Sequence, residues 1–521
     1  MKFKQAFQRD EPPCGGASLE ELIAPDNEVR LIDAFVDSLR LEELGFRIDF
    51  PDNGRPAYHP AVLLKLLVYG YLNRIRSSRC LERECRRNLE VMWLLGQLAP
   101  DHNTIANFRK SNSKAITKVF RATVKMAQHF ELIGGELLAG DSTKLRAQNS
   151  KKNNYNQAKI ARHLAYIEQK LSDCQQALSQ TGEATQVEQL ADSMARHARR
   201  REYYRALSLQ LADSGQDQIS TSDPESRQMI IRNTITEVAY NVQATVDARH
   251  CLLIDYRVTN HNDCKAMGNM LRRAKSIVRN SSFTALFDKG YHTGSELEIA
   301  QRLGIKTLVA IPAPAANAPD PAYNVEHFVY NPEKNTYTCP QGAVLTTNGS
   351  VYTKHRDKSN QTSFHQYRTR ACKACTARDL CTTARNGKLI ERNTYTPVFE
   401  RNRQNIAAYP ELYKRRQAIV EHPFGTIKRQ WGYSYVLTKK GMERAAADVG
   451  LMLVAYNLRR IFHLVGSERL QAYARASSAY PAIISVYRTC WVHFSIVIKH
   501  ILDTALYLQI AIFNQPTSRG Y

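Results

Sequence analysis

The pattern of apolar and polar positions divides the chain into stretches of different period. Residues 28–130 are helical almost throughout. AVLLKLLVYGYL follows Pro60, SRCLERECRRNLEVMWLLGQL continues with a polar face, and APDHNTIANFRKSN is a turn in which Asp101 or Asn103 can cap a short helix. In GGELLAGDSTKLRA the period changes, and LLAG is expected to be a short strand ending at Asp141. From Ile160 the apolar residues Leu164, Ile167, Leu171 and Leu178 step by four and three, with Cys174 filling the remaining position, which makes a heptad stripe. After a turn at Thr181-Gly182, Val187, Leu190, Met194, Tyr204, Leu207 and Leu211 continue a second helix, so 154–214 is predicted to be an antiparallel helical hairpin. VAYNVQATVDARHCLLIDYRVT then alternates with period two on either side of a turn, as a β-hairpin does. A helix capped by Asp263 and reaching about Val278, a strand FTALF ending at Asp288, a helix GSELEIAQRLG and a strand KTLVAIP follow. Residues 312–322 are a Pro- and Ala-rich linker, 323–400 a loop-rich module, and helical periodicity returns over 403–465.

Charge narrows what such a chain can meet. The 521 residues hold 72 Lys+Arg against 49 Asp+Glu, a formal charge of +23, while 43% hydrophobic residues exclude a basic disordered tail protein. That balance favours a polyanion, either nucleic acid or an anionic membrane surface. The membrane alternative finds little support. MKFKQAFQRDEPPCGG has no apolar secretion segment, and TCWVHFSIVI, bounded by Arg488 and Lys499, is too short to span a bilayer. Eleven cysteines, an odd number, argue against a disulfide framework, and the expectation is a cytoplasmic protein without a membrane partner.

Two aspartates, Asp141 and Asp288, stand where predicted strands end, and a third acid, Glu421, lies in YKRRQAIVEHPFGTIKRQWGY. A carboxylate at a strand end can be a metal ligand fixed by the sheet, or simply a turn former. Residues 401–440 carry nine Lys or Arg against two acids, with Trp431, Tyr433 and Tyr435 interleaved, which suits DNA backbone contacts with base stacking and equally suits core packing of the rings. Arg196, Arg199, Arg200 and Arg201 make a further basic cluster, either phosphate-tracking or a solvated face. Arg109 and Lys110 lie on the short helix of a region that suits either a helix-turn-helix-like DNA reader or a helical packing domain. Cys339, Cys372, Cys375 and Cys381, in YTCPQG and CKACTARDLC, supply the four thiols of a tetrahedral Zn²⁺ site, with His355 and His365 as substitute ligands; unliganded thiols are the alternative.

Taken jointly, HPAVLLKLLVYGYLNRIRSSRCLERECRRN, PDHNTIANFRK, GDSTKLRA, YNVQATVD, FDKGYHTG and VEHPFGTIKRQWGY resemble the bacterial insertion-sequence DDE transposases, and among them the IS-five and IS-eleven-eighty-two groups, over about residues 28–465. The resemblance implies an α/β protein with an RNase H-like catalytic core split by a helical hairpin insertion and a Cys-rich insertion, preceded by an all-α N-terminal domain. The expected divisions are 1–133 for the DNA-binding domain, 134–312 for the first part of the core with the hairpin at about 150–228, 313–400 for the Cys insertion, 401–465 for the Glu helix, and 466–521 for an atypical tail. It implies Asp141, Asp288 and Glu421 as ligands of two Mg²⁺ (or Mn²⁺) ions, with structural Zn²⁺ on the cysteines. Tyr413, Arg416 and Lys428 match the family's Tyr, Arg and Lys around the Glu, and Arg429 and Trp431 belong to the same DNA-facing segment. Lys428, seven residues after Glu421, shares its side of a regular helix, as does Lys414, whereas Arg416 falls roughly 140° round, so Lys414 and Arg416 compete for one role; Pro423 should kink the helix or start a new one. The implied function is binding of terminal inverted repeats, metal-dependent cleavage and strand transfer into target DNA by a homodimer or larger synaptic assembly on double-stranded DNA, in a bacterial, nucleoid-associated setting. An inactive transposase-derived DNA-binding protein and a metal-dependent nuclease without strand transfer are the alternatives. The tail after 465 is either an added packing element or an altered C-terminus.

Overall fold

The computed structural model describes residues 3–10, 16–49, 56–232, 234–278, 280, 282–313, 318–355, 361–438 and 440–473, so Thr489–Ile498 lies outside the described residues. The chain divides into two compact units, one running to Phe130 and resuming at Ala446, the other spanning Glu131–Ala445. Among the described residues no helix is long and apolar enough to cross a membrane.

The first unit is helical, as its apolar periodicity requires: α1 (Leu19–Leu22), α2 (Glu28–Asp37), α3 (Leu41–Leu44), α4 (Pro60–Leu72), α5 (Ser78–Arg87), α6 (Leu89–Leu95), α7 (His102–Ser111) and α8 (Ser113–His129). Its boundaries follow from short polar side chains. Ser18 and Glu21 form a capping box on α1, and Asn27, Asn88 and Asp101 accept backbone N–H bonds at the starts of α2, α6 and α7. The helix α4 is buried on nearly every face and forms the unit's centre. Asp448, fully buried, accepts from the Tyr71 hydroxyl and stands 3.8 Å from Arg76 and 3.9 Å from Arg109. It belongs to α16 (Met442–Val465), whose residues from Ala446 pack in this unit, whereas the sequence pattern runs the catalytic portion on to 465.

In the second unit, β1 (Leu137–Arg146) is followed by a two-stranded pair, β2 (Asn154–Asn156) and β3 (Gln218–Ser220), which brackets α9 (Gln157–Gln180) and α10 (Ala184–Ser214). These two helices are the predicted hairpin, and the heptad stripe is its seam: Ile160, Ile167 and Leu171 pack against Tyr204, Leu207 and Leu211. The chain continues through β4 (Arg227–Arg232), β5 (Ile235–Asp247), β6 (Leu253–Thr259), α11 (Met267–Val278), β7 (Thr284–Phe287), α12 (Gly294–Arg302) and β8 (Lys306–Val309). The sheet order is β4-β5-β1-β7-β8, with β6 also on β5. The long β5 pairs antiparallel with β1 and with β6, and β7 and β8 run parallel to β1. Connections to the parallel strands pass through α11 and α12, as a crossover demands.

Two features differ from the sequence pattern. The expected loop-rich module is a five-stranded antiparallel sheet, β13-β12-β11-β10-β9, made of β9 (Val329–Asn331), β10 (Thr336–Thr338), β11 (Val344–His355), β12 (Gln361–Arg368) and β13 (Ile390–Asn393), with α13 (Arg378–Cys381) beside it. β9 and β10, three residues each, carry too short an alternation to register, and β11 is broken by Asn348-Gly349-Ser350, a turn-like sequence at which its pairing with β12 shifts register. The helix that resumes is α14 (Thr396–Ala408), then α15 (Pro410–Gly425). Pro423 neither ends α15 nor starts a new helix; the backbone passes through it into a π-helical turn, Thr426–Gln430.

Candidate active site

Asp141 is not at a strand end. β1 continues to Arg146 in antiparallel pairing with β5, where Asp141 faces Ala244, while its parallel pairing with β7 stops at Ala139–Leu286. The neighbour on one side therefore runs out just before Asp141, which leaves the carboxylate supported by one strand and open on the other side. Leu137 pairs with Thr284, an offset of 147 residues (284 − 137), and Asp288 stands at that same offset from Asp141. The two aspartates thus leave adjacent parallel strands at matching register. Gly140 makes this close pairing feasible, because a Cβ there would lie 2.0 Å from the Phe287 ring.

The Ser142 N–H donates to Asp141 Oδ1 at 2.7 Å, and Arg416 Nη1 donates to Oδ2 at 3.0 Å. Burial pushes the Asp141 carboxyl above its ordinary pKa and the charge of Asp288 adds to this, with Arg416 opposing. Asp288 caps the turn Lys289–Tyr291, accepting from the Gly290 N–H at 2.9 Å. Tyr413, one turn before Arg416, donates its hydroxyl to the Phe287 carbonyl at 3.2 Å, so α15 is tied to the end of β7 beside Asp288. Lys428 donates to Thr143 Oγ1 at 3.0 Å and to the Lys144 carbonyl at 3.3 Å; burial, with Lys144 and Arg429 nearby, lowers its pKa.

Asp141, Asp288, Tyr413 and Arg416 are therefore brought together. Glu421 is exposed, and its Oε1 accepts from Gln417 at 2.9 Å. The predicted angular separation of Arg416 and Glu421 holds in this sense, with Arg416 turned to Asp141. Lys414 is exposed and pairs with Glu411 at 2.6 Å, so Arg416 and not Lys414 meets the aspartates. Lys428 turns to β1 because the π-helical turn shifts the phase that regular α-helical spacing would give.

Two expected DNA contacts are corrected. Arg109 is 6% exposed, on the inner face of α7 with Ile105 and Phe108, and donates to the Tyr71 hydroxyl, the Arg76 carbonyl and Ser78 Oγ. A guanidinium committed to that interior network is not on a DNA-accessible surface. Trp431 is 7% exposed and packs edge-on against the buried Tyr433, so its ring is core and does not stack on a base. Lys110 and Arg429 are exposed.

One residue of the site is not evident from its sequence context. The pattern makes Asp263 a helix cap; its carboxylate instead accepts from Asn241 Nδ2 at 2.7 Å and Gln243 Nε2 at 2.6 Å and lies 3.4 Å from Lys144 Nζ. Burial alone would push its pKa up, but Lys144 and the two amides hold it below the ordinary value. Gln243 also accepts from Tyr291, whose buried hydroxyl lies under the influence of Asp263, Asp141 and Asp288. The available signal is in YNVQATVD: Asn241 and Gln243 are polar residues two apart on a strand that is otherwise buried, and buried amides require partners.

The four cysteines of the module line one pocket with Phe328, Leu345 and Lys388. Burial raises the Cys381 thiol pKa, Lys388 opposes, and Cys372, Cys339 and Cys375 each add to it. Gly387, at φ +81°, lets the chain pass Cys372, since a Cβ there would lie 2.6 Å from Cys372 Cβ. His365 does not line this pocket, and the His355 side chain lies outside the described residues. Among the described residues no three His, Cys, Asp or Glu side chains converge closely enough to hold a metal ion, so the thiols share a pocket without closing into a coordination sphere.

Comparisons with known proteins match two stretches of the chain. A family model described as a transposase domain matches residues 17–111, and one described as a transposase DDE domain matches 338–462. The second covers the cysteines, Tyr413, Arg416, Glu421 and Lys428, and begins after Asp288. No curated protein matches the chain. Among solved structures it is similar to a piggyBac transposase in a synaptic complex with hairpin DNA, at 9% identity over 87% of this chain and 77% of that one, with a TM-score of 0.28.

Proposed function

We propose that the chain, which matches transposase family models over 17–111 and 338–462, is a DDE transposase in which Asp141, Asp288 and Glu421 are the metal-binding triad, within an RNase H-like core, for cleavage and strand transfer at the inverted repeats of an insertion sequence. The observation that carries the proposal is that Asp141 and Asp288 keep the 147-residue offset of the adjacent parallel strands β1 and β7, two residues beyond the last paired position, Ala139–Leu286. The strand order β6-β5-β1-β7-β8, antiparallel through its first three members and parallel through its last three, supports the assignment of the core.

Asp141 and Asp288 suit a hard divalent cation, although among the described residues no third acid converges on them. The two carboxylates act on each other electrostatically, Asp141 being raised in pKa by burial and also by Asp288, and Arg416 supplies a positive charge to Asp141. Asp141 and Asp288 would hold the ion, with Glu421 as third donor from the helix that brings Tyr413 and Arg416 into the site. When bound, such ions stabilise charge on the attacking and leaving oxygens of a phosphodiester. In the transfer, a 3′-hydroxyl oxygen forms the new bond to phosphorus as the target's P–O bond to its 3′ oxygen breaks, and the proton lost by the nucleophile balances the one gained by the leaving oxygen. Tyr413 fixes α15 against β7, Arg416 holds the Asp141 carboxylate in one orientation, and Lys428 and Lys144 present positive charge along β1 for the DNA backbone.

The same reading gives the thiol pocket a structural Zn²⁺, for which four soft donors and a Cys-x₂-Cys spacing are suited. It also assigns 1–133 to DNA binding and a dimeric or larger assembly to synapsis. The test uses labelled DNA bearing the inverted repeats that flank the reading frame, a plasmid target and Mg²⁺. Joined product is expected. Cleavage without joining would favour a nuclease, and binding without either would favour an inactive relative.

A further inference from the structure

The helical hairpin is asymmetric in its charge. Over 157–214 it carries eight Lys or Arg against seven Asp or Glu, close to neutral, yet the charges are segregated. Residues 171–195, the distal half, hold four acids and no Lys or Arg, so the proximal half keeps all eight cations against three acids. The proximal half is itself two-sided. On one side Glu168 of α9 accepts from Arg201 at 3.5 Å and Arg205 at 3.2 Å of α10, so both guanidiniums there share a carboxylate partner.

The other side has no such carboxylate. Arg196, Arg199, Arg200 and Tyr203 fall at i, i+3, i+4 and i+7, one stripe of α10. Beside them on α9, His163 stacks on Tyr204 with ring centroids 4.7 Å apart, and Lys159, Arg200 and Arg162 all bear on its imidazole, which burial and these cations together hold below its ordinary pKa. Among the described residues, Arg162, Arg196, Arg199 and Arg200 pair with no carboxylate. Two exposed aromatic rings, Tyr166 at 53% and Tyr203 at 48%, stand among them. Four guanidinium groups held on a rigid two-helix frame without counter-charge pre-form a site for a polyanion, since no internal ion pair has to be broken for binding.

We propose that this face of the hairpin, with Arg162, Arg196, Arg199 and Arg200 at its centre, is a contact surface for the phosphate backbone of double-stranded DNA, separate from the carboxylate site. It rests on the transposase reading. The test is the salt dependence of binding to a fluorescein-labelled duplex of arbitrary sequence, measured by anisotropy on the full chain. For R196Q/R199Q/R200Q the slope of log K against log[NaCl] should shrink by about 2 to 3, roughly 0.9 for each phosphate that is no longer neutralised. R196K/R199K/R200K, which keeps the charge, should retain the slope, and R201Q/R205Q, on the face paired with Glu168, should shrink it by less than about 1. An unchanged slope in the triple Gln variant, or an equal reduction in R201Q/R205Q, would overturn the proposal. A wild-type chain with no salt-dependent duplex binding would instead overturn the reading on which it rests.

Discussion

The second unit carries two insertions that reach order by different means. The hairpin buries a seam of large aliphatic and aromatic residues, with Ile160 and Ile167 wholly enclosed, and a heptad repeated along two long helices makes that burial continuous. The β9–β13 module has a core of only Phe328, Tyr337, Leu345, Tyr367 and Ile390 under its five strands, and beside it lies the pocket of four thiols. One element holds itself together by apolar area; the other has little core for its length and places metal-suited donors where more core would otherwise be needed. The same division governs function. A self-supporting hairpin can tolerate an unbalanced cationic face, whereas the module's polar side chains are largely used in its own fold, as with Arg392, which bonds Tyr337 and Glu400.

The largest expected effect separates the two. On the proposed zinc assignment, Cys372→Ser/Cys375→Ser should lower bound zinc from about one per chain to near none and unfold the module, as loss of structural zinc does in other small domains. Mass spectrometry and limited proteolysis should show cleavage within 323–400 while hairpin helicity survives. Retained zinc, or an intact module without it, would erase the contrast. Next, Ile167→Ala should destabilise the hairpin by about 2–5 kcal/mol through reduced burial and a residual cavity, measured by denaturant unfolding, with zinc content unchanged. Gly387→Ala should cost the module about 1–3 kcal/mol, because the added Cβ meets Cys372 at a backbone angle that L-residues disfavour; no loss of stability would mean that the chain does not pass Cys372 closely. Smallest is Glu168→Gln, which should cost about 0.5 kcal/mol at most, since Glu168, Arg201 and Arg205 are substantially exposed and their pairs are screened.

Legibility in the sequence follows the length over which a pattern repeats. The hairpin, the β5–β6 pair and the order strand, helix, strand, helix, strand around Asp288 are readable because each repeats a period across many residues or ends in a turn. The module's strands are not, because β9 and β10 hold only three residues each and the long β11 is interrupted by Asn348-Gly349-Ser350, where its pairing with β12 shifts register. At the site, Asp141 and Asp288 are identifiable as residue types, but their matching register depends on pairing across 147 residues, a tertiary fact. Helical arithmetic puts Arg416 on the wrong side for Glu421, and it is sound; what it lacks is Asp141, the partner on that side. Lys428 and Trp431 differ from expectation for the opposite reason, since a π-helical turn and a buried ring reverse inferences built on regular spacing and composition. Asp263 shows a further limit: one Asp before a helix is an ordinary cap in sequence, and only the amides of β5 reveal another use.

The central claim is that Asp141 and Asp288 form the heart of a metal-dependent transfer site. Mg²⁺-dependent joining of labelled repeat-end DNA to plasmid, compared between the wild-type chain and Asp288→Asn, tests it most directly. The account predicts that Asp288→Asn keeps its fold and binds the same DNA while cleavage and joining fall by at least about 100-fold, the scale of losing one charge-stabilising group or more in an active site. Cleavage at the wild-type rate by folded Asp288→Asn would contradict it.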